Sequence, residues 1–153
     1  MTLECKADGT FATAPAPATI DDTIDKARKQ FDIEAPGADL LYSKPYDILT
    51  EQVTSGRFVG RETIDGVPAN HLAFVGEDVD WQIWIKDGAE PLPVRFVITS
   101  KKVKGSPQFT VQMTQWQPKA PADETTFAFK APPGASQVKS FPTACSAATA
   151  ATK

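Results

Sequence analysis

The stretch from Gly56 to Gln117 constrains the fold more than any other part of this 153-residue chain. It contains D-W-Q-I-W-I-K-D-G and P-L-P-V-R-F-V-I-T, in which large apolar side chains alternate with polar ones. A period of two belongs to strands with one buried face. The Asp65-Gly66 and Asp87-Gly88 pairs supply the tight turns of an antiparallel meander. The spacing predicts strands over 57–65, 69–75, 80–86, 94–102 and 108–117, with no catalytic constellation among them.

Parity then assigns faces. Trp81, Ile83 and Ile85 fall on one side, joined by Phe96 and Ile98 and then by Phe109, Val111 and Met113. The opposite side is mixed, yet it carries Trp84, Val97 and Trp116. A solvated face rarely holds two tryptophans, so part of this second face is expected to be covered.

The cover expected is a helix over 20–31. Thr19 is its N-cap, Asp21, Asp22 and Asp25 lie where the macrodipole favours anions, and Lys26, Arg28 and Lys29 lie at the far end. Ile20, Ile24, Ala27 and Phe31 recur as one apolar stripe. A short apolar turn follows at 38–42, containing Leu40, Leu41 and Tyr42, and then a helical piece over 46–53. At the ends, residues 3–13 read as a strand or hairpin arm with a turn at Asp8-Gly9. Phe127 and Phe129 read as one side of a short final strand. Residues 1–141 are expected to form one domain, and the Ala/Thr-rich tail at 142–153 to be disordered.

The chain carries 16 Lys+Arg against 19 Asp+Glu, a net charge of −3. With no basic cluster, nothing supports nucleic-acid binding. No apolar run is long enough to span a membrane, and no signal peptide is visible in the sequence as numbered.

Chemistry is sparse. His71 is the only histidine, which excludes multi-histidine metal sites. Set mid-strand, it is expected to be a structural, hydrogen-bonded residue. Glycines at 56 and 60 on one strand mark a bulge or close helix packing, not a phosphate loop. Glu77, Asp78 and Asp80 are too short and too interrupted a set for calcium, and read as solvated loop charge. Lys101–Lys104 likewise reads as a solvated edge. No cofactor motif and no nucleophile–base spacing is present. The two cysteines, Cys5 and Cys145, show no zinc spacing, and Cys5 lacks the lead-in of a lipidated cysteine. They read as two unpaired thiols. The alternative, a Cys5–Cys145 disulfide, closes a long loop and stabilises by about 4–5 kcal/mol in the chain-entropy account.

Several segments in order carry a family resemblance: I-D-D-T-I-D-K-A-R-K-Q-F-D-I-E-A-P-G-A-D-L-L-Y (20–42), D-G-V-P-A-N-H-L-A-F (65–74), V-D-W-Q-I-W-I (79–85), P-L-P-V-R-F-V-I-T (91–99), P-Q-F-T-V (107–111) and F-A-F-K-A-P-P-G-A (127–135). Over roughly residues 3–140 the chain resembles DUF2092, a family of predicted periplasmic bacterial proteins. That family is similar in turn to LolA-type lipoprotein carriers. The resemblance implies an α+β fold in which a curved antiparallel β-sheet forms an incomplete barrel with helices over its opening. It also implies a periplasmic location and the binding of acyl chains without chemistry. Against the family pattern the chain looks like the C-terminal two-thirds of the domain. An edge left by missing strands is prone to pair with another chain.

The functional expectation is therefore a non-enzymatic carrier of lipidated or other hydrophobic ligands. Its cavity is lined by Trp81, Ile83, Ile85, Phe96, Ile98, Phe109, Val111 and Met113. Its lid is formed by Ile24, Phe31, Leu40, Leu41 and Tyr42. The alternative is an envelope sensor or interaction domain that binds a partner protein; an enzyme centred on His71 ranks last.

Overall fold

A computed structural model of the chain describes residues 1–33, 35–120, 123 and 125–141. In chain order the elements are β1 (Thr2–Cys5), β2 (Thr10–Thr13), α1 (Ile20–Phe31), a 3-10 turn (Ala38–Leu41), α2 (Pro45–Thr50), β3 (Val53–Ile64), β4 (Val67–Gly76), β5 (Val79–Lys86), β6 (Pro93–Ser100), β7 (Gln108–Gln112) and β8 (Ser136–Gln137). The fold is α+β. It divides into two compact units, one of Met1–Ala35 with Lys119–Lys153 and one of Pro36–Pro118.

The first unit holds a three-stranded sheet in the order β1-β2-β8. The hairpin turns at Gly9, whose φ of +60° suits a residue without Cβ. The helix α1 forms where its end signals place it. Thr19 accepts the backbone N–H of Asp22 at 3.1 Å. At the other end Asp32 is left-handed and the Ile33 N–H closes onto the Ala27 carbonyl at 3.1 Å, ending the helix. No α1 residue is fully buried.

Two expectations about this unit are corrected. The final strand is not at Phe127 and Phe129. Asp123 accepts from the backbone N–H groups of Thr125 and Thr126, each at 2.9 Å, and this side-chain cap holds the segment in a turn. The last strand comes later, at Ser136–Gln137, in parallel pairing with Thr10 and Phe11, while Phe129 packs its ring against Phe11 at 5.1 Å. Second, Cys5 is not a free thiol: it is disulfide-bonded and 2% exposed. Cys145 and the expected tail at 142–153 lie outside the described residues.

The second unit is a five-stranded antiparallel meander in the order β3-β4-β5-β6-β7. Asp65 and Gly66 both take positive φ, 47° and 81°, the backbone of a type I′ hairpin whose twist matches its strands. Among the described residues the sheet stays open, with β3 and β7 as its edges. Strand β3 reaches back to Val53, so the expected helical piece stops at Thr50. Strand β7 ends at Gln112, short of the expected Gln117. Beyond it Trp116 is held by its side chain, the indole N–H donating to the Pro93 carbonyl at 2.7 Å. That tryptophan is 47% exposed and is not part of a covered second face.

The acidic loop is also paired instead of simply solvated. Asp80 meets Lys101 at 3.2 Å, Asp78 meets Lys102, and Lys101 also donates to the Gly76 carbonyl at 2.7 Å. The β4–β5 and β6–β7 connections are thereby tied together at one end of the sheet.

Candidate functional site

The cross-strand register of the second unit puts one apolar row on a single face. Phe74 lies opposite Trp81 and Leu72 opposite Ile83. The row continues with Trp81 opposite Ile98, Ile83 opposite Phe96, Phe96 opposite Val111 and Ile98 opposite Phe109. Trp81, Ile83 and Phe96 are buried, and Ile85, Ile98, Val111 and Met113 pack around them only partly buried. Seven of the eight expected lining residues thus share one cluster. Phe109 lies on the same face by register but outside that cluster.

Of the expected lid, Leu40 from the 3-10 turn packs onto the cluster. Leu41 is exposed, and Tyr42 follows it as an extended cap. Ile24 and Phe31 lie on α1 in the other unit, where Phe31 packs edge-on to Phe141 at 4.6 Å. Leu49 of α2 and Val53 of β3 also pack against the cluster. The approach of the 3-10 turn depends on Gly37, where a Cβ would sit 3.0 Å from Val111 Cγ2.

Phe74 and Trp81 stack with centroids 3.9 Å apart and planes 18° apart. Phe74 lies over Gly56, where a Cβ would come within 2.7 Å of the ring. Gly56 is thus packed under an aromatic ring of the neighbouring strand and not under a helix, whereas Gly60 sits at a register shift of β3, the expected bulge. An open recess of about 490 Å³ lies along these rungs, lined by Ser55–Arg57, Ala73–Val75 and Asp80–Gln82.

The other face is organised around Trp84. Ile64, Ala69, Val94 and Val97 form a second buried cluster with it. His71 stacks on its indole at 4.0 Å, and the Arg95 guanidinium lies 5.6 Å from the ring centroid. So Trp84 is covered by neighbours on its own sheet. Glu62 accepts the Trp84 indole N–H at 2.9 Å with one oxygen and the His71 Nδ1–H at 2.8 Å with the other. These two hydrogen bonds, that of Trp84 first, hold the Glu62 carboxyl below its ordinary value of 4.5.

The second ring nitrogen of His71, Nε2, lies 2.8 Å from Gln82 Oε1. His71 is 7% exposed and both its ring nitrogens are engaged, so the imidazole is hydrogen-bonded as its mid-strand position predicts. Arg95 donates to Gln112 at 3.1 Å, and Gln112 in turn reaches Asp65. Arg95 Nε is buried without a hydrogen-bond partner, its charge resting on the indole face instead.

Sequence reading missed Leu72 and Phe74 as members of the apolar row, although their alternation within 69–75 signals it. It missed Glu62, Gln82 and Arg95 for a different reason. They are polar residues on three strands, and only the register brings them to one tryptophan. Among the described residues no cluster of His, Cys, Asp or Glu is suited to a metal ion, and no helix is long and apolar enough to cross a membrane.

No curated protein and no solved structure matches the chain significantly. The family model described as "Predicted periplasmic protein (DUF2092)" matches residues 1–140. The chain therefore belongs to the DUF2092 family of predicted periplasmic proteins.

Proposed function

We propose that this periplasmic chain is a non-enzymatic binding protein that holds lipidated or other hydrophobic ligands against the apolar face of its five-stranded sheet. One observation carries the reading. Leu72, Phe74, Ile85, Ile98, Val111 and Met113 continue a buried aromatic and aliphatic row, yet each remains only partly buried. Large apolar side chains left partly wet in a continuous row are what an apolar ligand covers, each contributing roughly 1.5–3 kcal/mol when fully buried. In this reading the sheet belongs to a strongly curved, incomplete barrel of LolA type, with helices over its opening. Trp81, Ile83 and Phe96 form its floor and Leu40 part of its rim. A disulfide at Cys5 suits the oxidising periplasm.

Saturable uptake of a fluorescent acyl-chain probe, with a matching lipid mass in native mass spectra of protein from an envelope fraction, is the expected result. Purified protein that carries no lipid and takes up no probe overturns the reading. A second reading, an envelope sensor or protein-interaction domain, is favoured by the long exposed edge strand β3. A defined protein partner recovered without lipid supports it over the first.

A further inference from the structure

Strand β3 is the edge of the five-stranded sheet and spans 12 residues, nine of them exposed. Among the described residues its backbone pairs with β4 on one side only. Phe58 and Val59, at its middle, are 59% and 43% exposed. A long exposed edge with apolar residues at its centre is a template for a further strand.

We propose that the occupant of this edge is β3 of a second copy of the chain, paired antiparallel about a twofold axis between Phe58 and Val59. This interface is independent of the ligand reading. The bulge is what makes the pairing possible. Ser55 and Arg57 face Val75 and Ala73 on β4, and past the register shift Gly60 and Glu62 face His71 and Ala69. Phe58 and Val59 together oppose the single residue Leu72, so the alternation slips by one and Ser55, Arg57, Gly60 and Glu62 share a face. In a regular twelve-residue strand, end-to-end pairing with its own copy sets residues of opposite faces against each other. Here the slip brings them back to the same face from Thr54 to Thr63, with Arg57 opposite Gly60 and Phe58 opposite Val59 of the second copy; a second register shift, between Val53 and Ser55, leaves Val53 out of the pairing.

Charge agrees with that register. Arg57 falls opposite Gly60 of the second copy, where no side chain intervenes and the glycine's Cβ direction is open. The next residue on that face is Glu62 of the second copy, within the diagonal reach of a long side chain, roughly 7–8 Å. Glu62 remains 44% exposed after meeting His71, so its carboxylate has room for the guanidinium. The twofold axis makes this contact twice, and no like charges lie opposite each other.

The full-length chain in sedimentation analysis is expected to show a concentration-dependent dimer. Phe58→Lys with Val59→Lys, both at exposed positions, is expected to weaken it by about tenfold or more. The double variant Thr54→Cys/Thr63→Cys is expected to form a covalent dimer on mild oxidation, while either single variant does not, because only the two together come opposite across copies. A mass that stays at one chain across all concentrations overturns the proposal. So does cross-linking of the single variants as readily as the double, or recovery of a different extended peptide on this edge that the Phe58→Lys variant loses.

Discussion

His71 and Trp84 stack with ring centroids 4.0 Å apart, and their N–H groups end on the two oxygens of one carboxylate, Glu62. The three residues come from β4, β5 and β3, so this contact fastens three strands at once on the face opposite the apolar row. Replacing the indole separates packing from hydrogen bonding. Trp84→Ala removes a buried aromatic and is expected to cost about 3–5 kcal/mol. Trp84→Phe keeps a stacked ring and gives up the N–H donor, so its loss is expected to be a minor fraction of that. Urea midpoints measured at constant slope test the ordering.

The same carboxylate makes stability depend on pH. Glu62 is held below 4.5 in the folded chain by the Trp84 and His71 hydrogen bonds. A carboxyl with a depressed folded value contributes stability that is fully present above its unfolded value. That contribution is lost as pH falls through the folded value. The melting temperature is therefore expected to fall with acidification below about pH 4.5, and Glu62→Gln to flatten that part of the profile. Thermal melts from pH 7 to pH 3 on both proteins check it.

The strand meander, the Asp65-Gly66 turn and the helix at 20–31 were legible because each is a local signal: alternation, a residue pair tolerant of positive φ, a cap with ordered charge. The apolar row followed from parity alone. What stayed hidden depends on contacts distant in the chain. Glu62 and Trp84 are 22 residues apart, joined by a side-chain bond at 2.9 Å, and nothing near either position announces the other. Strand β8 was missed because Ser136–Gln137 carries no apolar pattern; its pairing rests on the backbones of Thr10 and Phe11. The Phe127–Phe129 alternation misled for the converse reason, since Asp123 holds the preceding threonines in a turn whatever the apolar pattern favours.

Gly56 tests how tightly the apolar row is packed. Its Cβ would meet the Phe74 ring at 2.7 Å, and Phe74 is fixed against Trp81 on its other side. Gly56→Ala is expected to cost about 1–3 kcal/mol through overpacking and to disturb the ring stack. A lowered denaturant midpoint together with a changed near-ultraviolet dichroism of Trp81 is the expected pair of results. A stability loss without a tryptophan signal places the strain elsewhere.

Phe96 and Ile98 separate floor from wall on the apolar face. They are two residues apart on β6 and point the same way, but Phe96 is 1% exposed and fully enclosed, whereas Ile98 is only partly buried. Phe96→Ala opens a cavity and is expected to cost about 3–5 kcal/mol. Ile98→Ser removes a side chain that still touches water, so its cost is expected to be clearly smaller. If the row holds a hydrophobic ligand, the ranking reverses for binding. Ile98→Ser then weakens uptake of an acyl-chain probe at temperatures where the variant remains folded, because the wall and not the floor meets the ligand. Equal probe affinity for wild type and Ile98→Ser, with stability lost as ranked, leaves the row as a core alone.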